Sequence, residues 1–241
     1  RAVAPTNKSL TLELGGKGAN IVFGDAAIDE TVEGIVNGIF FNQGHVCCAG
    51  SRLILQESIA DEVLEKLKRR MDKIRVGDPL DKNTDLGAIN SAEQLAKIHE
   101  LTAAGEAEGA GRWSPNCALP EKGFWFAPTI FTGVTQAHRI AREEIFGPVL
   151  ATIPFDTIDE AVSIANATEY GLAAAIWSRD INVAHKAARA LRSGMVYVNC
   201  YDADDITVPF GGYKQSGIGR DKSLHAFEKY TELKTTWIEF G

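Results

Sequence analysis

A glutamate and a cysteine near the amino end of the chain have the residue types that covalent catalysis through sulfur needs. Glu13 lies in the run LTLELGG, and Cys47 lies in the run FFNQGHVCCAGSR. A thiol with an unperturbed pKa near ~8.5 is mostly protonated at neutral pH, so an attacking cysteine needs a helix amino terminus, a cation or a base beside it. Gly44, Ala49 and Gly50 predict a sharp bend with amide groups free to face an oxyanion. We expect acyl transfer through a thioester on Cys47, with Glu13 activating water.

The other thiols and the nearby histidine have weaker claims to chemistry. Cysteine is among the most buried residue types, so Cys48 is interpreted as a core residue. A strained Cys47–Cys48 disulfide and a zinc site are both disfavoured, because the chain has no CxxC and no His or Cys repeat at ligand spacing. His45 is the rival base for a cysteine–histidine pair, but side chains this close in sequence usually diverge. No metal site is predicted.

Composition narrows the partners and the compartment. The 241 residues are 45% hydrophobic and carry a net charge of −7 without a long basic run. This balance disfavours nucleic acid and anionic membrane surfaces as partners. No apolar stretch approaches ~18 residues, and RAVAPTNKSL lacks the apolar centre of a signal peptide. Four cysteines, two of them adjacent, do not form a disulfide framework, so a cytoplasmic location is expected.

Strand and helix patterns alternate along the chain, which predicts an α/β layered domain with a largely parallel sheet. One helical stripe carries Ile59, Val63, Leu67, Met71 and Ile74, with Ser58 as its cap and Asp61 three residues later. A second helix is expected to begin at Thr157, with Glu160 at capping-box spacing and Ala161, Ile164 and Ala165 on its buried face. A third helix is expected over 180–193.

Short apolar or β-branched runs between the helices predict buried strands at 52–55, 149–155, 173–177 and 195–199. The stretch 105–127 is rich in Gly, Ala and Pro and is expected to be an irregular excursion. Residues 230–240 alternate well enough to form an edge strand, and unpaired edges invite pairing with another chain.

Five segments together resemble the aldehyde dehydrogenase superfamily: LELGGKGANIVFGDA, FFNQGHVCCAGSR, EEIFGPV, VPFGGYKQSGIGRD and YTELKTTW. They occur in the family's order, they cover essentially the whole chain, and 34 positions separate Glu13 from Cys47 as in that family. The tail from 202 onwards looks most like enzymes that oxidise gamma-aminobutyraldehyde or its gamma-glutamyl derivative in polyamine breakdown. The resemblance therefore implies an NAD(P)-dependent aldehyde dehydrogenase.

Family members are about twice this length, and this chain begins at Arg1 shortly before a strand-like segment. The resemblance implies that 1–14 end a mostly missing cofactor-binding domain, that 15–215 form the catalytic domain, and that 216–241 form a C-terminal segment with an oligomerisation strand. The missing part would also carry an asparagine of the oxyanion hole. Consistent with this, neither GGKGAN nor SGIGRD has the GxGxxG spacing of a dinucleotide-binding turn. A homo-oligomer is expected.

The same resemblance assigns roles to individual residues. Cys47 would be the nucleophile and Glu13 the base, Glu144 would hold the nicotinamide ribose hydroxyls, and Phe146 would pack beside it. Without the resemblance, Glu144 next to Glu143 would be interpreted as a solvated helix end. The cofactor would be NAD, with NADP open, because the residues that meet the ribose 2′ position are not in this sequence.

Three acidic residues, Asp202, Asp204 and Asp205, fall in the segment that the resemblance places along the aldehyde's access path. They are assigned to substrate binding, where they would attract a cationic tail; a solvated turn is the simpler interpretation. Asn199 fits a capped strand end as well as a role near the site. Asp221 stands where many relatives have a glutamate, one methylene longer, so it is not assigned a catalytic role.

Two other functions remain open from the sequence. The first is a non-catalytic assembly or binding fragment, which would show no special reactivity at Cys47. The second is a dehydrogenase that passes its acyl group to coenzyme A, although the presence of Glu13 favours water as the acceptor.

Overall fold

The computed structural model describes residues 2–203 and 205–241, in which helices cover both faces of a central sheet. The strands are β1 Leu12–Glu13, β2 Ala19–Val22, β3 Arg52–Gln56, β4 Gly111–Trp113, β5 Thr129–Thr132, β6 Val149–Phe155, β7 Tyr170–Gly171, β8 Ala173–Trp177, β9 Met195–Val198, β10 Tyr213–Lys214 and β11 Gly217–Ile218. The α-helices are α1 Ile28–Phe40, α2 Ala60–Met71, α3 Ala92–Ala107, α4 Arg139–Arg142, α5 Ile158–Asn166 and α6 Ile181–Ala190. Short 3-10 helices span Phe41–Gly44, Glu57–Ile59 and Leu224–Lys229.

The central sheet has seven strands in the order β4-β5-β6-β3-β2-β8-β9. All neighbouring pairs are parallel except β4 with β5. Ala19 of β2 is in register with Arg52 of β3 and with Ala174 of β8. The largely parallel α/β sheet predicted from the alternating pattern is therefore confirmed, and the four predicted strands are all in it.

Successive side chains of the strands point to opposite faces, and each face is buried under its own helices. Ile21 and Ile54 pack into the cluster that includes residues of α3, α5 and α6. Val22 and Leu53 pack into the second cluster, which includes residues of α1 and α2. Burial on both sides explains why these strands appear in the sequence as continuous apolar runs.

The predicted helix over Ile59 to Ile74 is present as α2, but its predicted cap is wrong. Ser58 lies in the 3-10 helix that precedes α2, and Ile59 occupies the capping position without a side-chain hydrogen bond. Ile74 is buried but lies beyond the end of the helix at Met71. The 3-10 turn delays the start of α2, so the Ser58–Asp61 spacing no longer coincides with the helix terminus.

The second predicted helix is confirmed as α5. The Thr157 hydroxyl accepts a hydrogen bond from the Glu160 amide at 3.3 Å, while the Glu160 carboxylate accepts from the Asp156 amide at 2.9 Å. The third helix, α6, begins after Asp180, whose carboxylate accepts from the Asn182 amide at 2.8 Å. It ends at Ala190, three residues before the predicted boundary.

Two predictions for the irregular parts of the chain need correction. The stretch 105–127 is not wholly irregular, since its first residues belong to α3 and 111–113 form β4. Gly105 lies in the core, next to Ile140 and Phe131. At the other end, residues 231–241 form no strand and are exposed. Among the described residues, no helix has both the length and the apolar character needed to cross a membrane.

A buried arginine ties the segment before β2 to the helix beneath it. Arg52, the first residue of β3, donates to the carbonyl oxygens of Lys17, Ile164 and Ala165 at 3.0, 2.9 and 2.8 Å. Burial lowers the pKa of its guanidinium to about 10, which still leaves it charged at neutral pH. The positive charge lies at the carboxyl end of α5, where the helix dipole favours a cation.

Candidate active site

Three predicted site residues precede three neighbouring parallel strands. Glu13 comes shortly before β2, Cys47 before β3, and Glu144 before β6. These strands are adjacent in the order β6-β3-β2, and their amino ends lie at the same edge of the sheet. Parallel pairing therefore collects residues that are up to 128 positions apart in sequence, as the contact between Gly16 and Glu144 shows.

Cys47 lies in a turn that left-handed backbone makes possible. After α1, Asn42, Gln43 and Gly44 have φ values of 48°, 56° and 73°. A Cβ on Gly44 would lie 2.3 Å from the carbonyl oxygen of Gly147, so the space there requires glycine and the left-handed conformation favours it. A turn bond from the Ala49 amide to the Val46 carbonyl, at 3.0 Å, then encloses the two cysteines.

The sequence predicted that the amides near Cys47 are free to face an oxyanion, and for two of them this is wrong. Those of Ala49 and Gly50 donate to the carbonyls of Val46 and Gly38 at 3.0 and 2.8 Å. Among the described residues, no backbone carbonyl accepts a hydrogen bond from the Cys47 amide. The Cys48 amide likewise has no backbone acceptor among the described residues, so these two amides are the donors in this turn that an oxyanion on the carbon bound to Cys47 can use.

The structure brings the two predicted catalytic residues together. Cys47 Sγ lies 3.8 Å from Glu13 Oε2. Although Glu13 is exposed as a residue, protein atoms around its carboxyl group displace water and raise its pKa, against smaller opposing effects of Cys47 and Lys229. A carboxylate with a raised pKa is a stronger base toward water.

The second cysteine is buried, as predicted, but it also has a polar partner. Cys48 Sγ lies 3.3 Å from Asp202 Oδ1, and the Tyr201 hydroxyl donates to the Cys48 carbonyl at 2.7 Å. Hydrogen bonding from the Cys48 thiol is the main cause that lowers the pKa of Cys47, whereas the pKa of Cys48 itself is raised. The single hydrogen of Cys48 thus has two acceptors, the Cys47 thiolate and the Asp202 carboxylate.

The strand that carries Glu13 is held by the C-terminal segment. Glu13 pairs with Gly217, and the Leu14 amide donates to the Ser216 carbonyl at 3.0 Å. The fully buried Ser216 hydroxyl donates to the Gly15 carbonyl at 2.7 Å and accepts from the Gly171 amide at 3.0 Å. Sequence reasoning missed Ser216, since a serine in a glycine-rich stretch is typical of a turn.

Glu144 lies against the glycine pair that follows Glu13. Its Oε1 accepts a hydrogen bond from the Gly16 amide at 2.9 Å, and a Cβ on Gly15 would lie 2.4 Å from its Oε2. A Cβ on Gly16 would lie 2.4 Å from the Cys47 carbonyl oxygen. The absence of side chains at Gly15 and Gly16 therefore lets the Glu144 carboxylate lie close to the turn that carries Cys47. A carboxylate can accept hydrogen bonds from both hydroxyls of a vicinal diol.

Phe146 and His45 form one stacked pair. Their ring centroids are 5.3 Å apart with an angle of 4° between the planes, and Phe146 has a φ of 54°. The His45 Nε2 accepts from the Asn90 amide at 3.3 Å, and burial lowers the pKa of the ring. These contacts hold the His45 ring against Phe146, which agrees with the expectation that His45 is a poor base for Cys47.

The acidic loop has a mixed outcome. Asp202 accepts from Cys48, as described above, and the Asp205 carboxylate accepts from both the amide and the hydroxyl of Thr207 at 2.7 Å. Asp204 lies outside the described residues. Asn199 bridges two strand ends, accepting from the Ser178 amide at 3.0 Å and donating to the Ser178 carbonyl at 2.9 Å.

A buried lysine next to the site was also missed. Lys17 is 2% exposed, and among the described residues its Nζ has no hydrogen-bond partner. Burial is the main cause that lowers its pKa to about 7, opposed in part by the negative charge of Glu144. Its position in GGKGAN, between the base and β2, gave no signal of burial.

A thiol, a carboxylate beside it and a second carboxylate thus lie together at one edge of an α/β sheet, which are the types of group that covalent acyl chemistry requires. The model of the aldehyde dehydrogenase family matches residues 1–236, and the chain belongs to that family. The family prediction made from the five motifs is confirmed.

Individual relatives cover nearly the whole of this chain. The NADP/NAD-dependent aldehyde dehydrogenase PuuC of Escherichia coli (strain K12) is 48% identical over 236 residues, which are 96% of this chain and 46% of that protein. A betaine aldehyde dehydrogenase of Mesorhizobium japonicum is 43% identical over 238 residues, 97% of this chain and 49% of that protein. A solved structure of the indole-3-acetaldehyde dehydrogenase AldA of P. syringae, in complex with NAD+ and IAA, has a TM-score of 0.95 and 49% identity, covering 99% of this chain and 49% of that one.

The chain thus spans about half the length of the curated relatives that it matches. The same proportion holds for the solved structure, so the aligned region corresponds to one half of each relative.

Proposed function

We propose that this chain carries the catalytic residues of an enzyme that oxidises an aldehyde, in particular an aminoaldehyde, to the carboxylic acid. The observation that carries the proposal is the 3.8 Å approach of Cys47 Sγ to Glu13 Oε2, in a turn where the Cys47 amide has no backbone acceptor among the described residues. Sequence placed these residues 34 positions apart, and the fold supplies the contact. Sulfur, base and oxyanion donor are the three groups that thioester chemistry needs.

We further propose that residues 1–14 end a cofactor-binding domain whose greater part lies in the preceding sequence of the full-length enzyme. The half-length match to the relatives supports this division. Residues 15–215 would be the catalytic domain and 216–241 a C-terminal segment that takes part in oligomerisation. The pairing of β1 with β11 joins the first of these parts to the last.

In the first half of the reaction, the Cys47 thiolate attacks the aldehyde carbon. The lowered pKa of Cys47 increases the thiolate fraction at neutral pH. The oxygen of the resulting thiohemiacetal carries negative charge, which the Cys47 amide stabilises. Collapse of this intermediate, with loss of hydride from the former aldehyde carbon, leaves a thioester on Cys47.

The residues present fit the nicotinamide end of NAD, which accepts the hydride when bound. Glu144 would hold the ribose hydroxyls, since its carboxylate is fixed by the Gly16 amide and offers acceptors for two donors. Phe146, held in place by its stacking on His45, would pack beside the same group. NADP remains an alternative, in keeping with the name of the Escherichia coli relative.

In the second half, Glu13 takes a proton from water, which attacks the thioester carbon and releases the acid and the Cys47 thiolate. Burial around the carboxyl group makes Glu13 a stronger base than an ordinary glutamate. A base placed next to the sulfur favours water over coenzyme A as the acyl acceptor, and it argues against a non-catalytic fragment.

Variants of the two residues in the full-length enzyme test this scheme. Cys47→Ala should lose all turnover. Glu13→Gln should release one burst of NADH and then accumulate an acyl group on Cys47, seen as a mass increase, because only deacylation is blocked. Glu121→Gln, at an exposed residue, and Cys117→Ala, at a partly buried one, are the matched controls, because both positions are remote in sequence from the two motifs. An undiminished steady-state rate in Glu13→Gln would remove Glu13 from the mechanism.

The aminoaldehyde preference is supported by the charge of the loop after β9. Asp202 lies against Cys48, the immediate neighbour of the nucleophile, so its carboxylate is close to the reacting centre. The name of the Mesorhizobium relative specifies a cationic aldehyde, while that of the P. syringae protein specifies an uncharged one. The charge near the nucleophile is therefore the feature that favours a cationic tail.

An isosteric variant tests the preference. At ~4 Å one ion pair is worth about 1 kcal/mol in water, or roughly fivefold in kcat/KM. We expect Asp202→Asn to lower the ratio of kcat/KM for 4-aminobutanal over an uncharged aldehyde of equal length by about fivefold, since the amide oxygen still accepts from Cys48. Asp81→Asn, which removes an equal charge from an exposed loop, should leave the ratio unchanged. A ratio near one in the parent enzyme would refute the aminoaldehyde assignment.

A further inference from the structure

A small cavity of about 170 Å³ lies between the base and the C-terminal segment. Glu13, Phe210, Asp221 and Lys229 are among the residues that line it. The volume has room for several water molecules. The cavity therefore connects Glu13, the proposed base, with Asp221 and Lys229, two charged residues that the mechanism above does not use.

Lys229 and Asp221 form an ion pair in this cavity. Lys229 Nζ contacts Asp221 Oδ1, and the lysine side chain is only 18% exposed. Asp221 is fixed by two backbone hydrogen bonds with Phe210, at 2.8 and 2.6 Å, and Lys229 ends the 3-10 helix Leu224–Lys229. The pair is thus anchored at both ends, and it is a partly buried pair, which salt screens less than an exposed one.

Lys229 is also the cation that acts on Glu13. Its positive charge lowers the pKa of that carboxyl group, while burial raises it by more. Among the described residues, Cys47 is the other titratable group that acts on the pKa of Glu13, while Asp221 lines the same cavity. Charged groups of the adjoining cleft have partners of their own: the Arg220 guanidinium donates to carbonyl oxygens, and His225 pairs with Glu228 at 3.1 Å.

We propose that Lys229 is a positioning residue that sets the basicity of Glu13, and that Asp221 moderates this effect by pairing with Lys229. The inference rests on the proposed role of Glu13 as the base. Without Lys229, Glu13 would hold its proton at higher pH and deacylation would fail sooner on acidification. Without the Asp221 charge, Lys229 would act on Glu13 undiminished, and the carboxylate would stay ionised to lower pH as a weaker base.

The test is the pH dependence of deacylation in the full-length enzyme, measured on acyl-enzyme formed in a single turnover. Lys229→Met should move the acid limb up by about half a pH unit, or roughly threefold in rate on that limb. Asp221→Asn should move the limb in the opposite direction. Lys229→Arg should keep the parent profile, because the charge is retained. Lys234→Met, in the exposed C-terminal segment, is the control for loss of a positive charge.

The proposal is supported if the acid limbs of Lys229→Met and Asp221→Asn move in opposite directions while the rate of the hydride-transfer burst stays the same. A general loss of structure would instead move the acid limbs of the two variants in the same direction. Shifts in the same direction, or no shift, overturn it. If Lys229→Met does not fold, the Asp221→Asn limb alone decides: a shift to lower pH supports the proposal, and any other result overturns it. Accumulation of acyl-enzyme in Glu13→Gln without these shifts would leave the proposed function standing and remove only the role of Lys229.

Discussion

The turn that carries the nucleophile and the strand that carries the base are held in different ways. Cys47 follows a left-handed stretch at the end of α1, and its immediate neighbours Cys48, Ala49 and Gly50 are buried. Glu13 lies on a two-residue strand whose residues are exposed, and its partners lie about 200 positions later, as in the bond from Ser216 to Gly15. The two halves of the proposed reaction therefore depend on separate parts of the chain.

Gly44→Ala should give the largest effect, because it disrupts the turn that carries Cys47. The alanine Cβ would overlap the Gly147 carbonyl at 2.3 Å in a left-handed backbone, a strain of about 3 kcal/mol or more. We expect a marked fall in Tm and loss of both acylation and deacylation. Gly109→Ala is the matched control: φ is 97° there, but no atom lies within 4 Å of the added Cβ, so the cost should be near ~1 kcal/mol. Equal effects of the two substitutions would contradict the packing argument.

Ser216→Ala should give an intermediate effect confined to the base. The substitution leaves the Gly15 carbonyl and the Gly171 amide without their buried partner, at a cost of about 1–3 kcal/mol. We expect deacylation to slow by about tenfold, while the rate at which iodoacetamide alkylates Cys47 stays the same. Ser178→Ala removes another buried hydroxyl, one that bonds Asp25, and should slow neither step. Slower alkylation in Ser216→Ala would mean that the two regions are not independent.

Cys48→Ala should give the smallest effect, and it tests how the turn around Cys47 controls the reactivity of that thiol. Its thiol is the main cause of the lowered pKa of Cys47, so its loss should raise that pKa and move the pH profile of Cys47 alkylation upward. The rate of alkylation at neutral pH should then fall, by less than the effect of Ser216→Ala on deacylation, because a smaller fraction of the thiol is ionised. Cys48→Ser keeps a donor and should shift less, and Cys117→Ala should not shift the profile. An unchanged profile in Cys48→Ala would assign the thiol hydrogen to Asp202 alone.

The sequence by itself determined the fold class, four strands of the central sheet and the family. Apolar runs at 149–155 and 173–177 coincide with β6 and β8, because strands buried on both faces are predominantly apolar. Thr157 was a correct helix start, because capping depends on residues only three apart. The motifs around Glu13 and Cys47 indicated the family for a similar reason: the chemistry restricts residue types within short segments.

Only the tertiary structure decided how these segments meet. Ser216, Lys229 and the Cys48–Asp202 contact carry no local pattern, because each depends on a partner more than 150 positions away or on a cavity formed by several segments. The bond of Glu144 to Gly16 likewise exists only because parallel pairing aligns the amino ends of β2, β3 and β6. Short-range periodicity specifies which elements form, whereas the contacts that tune an acid or a thiol arise from packing between elements that are distant in sequence.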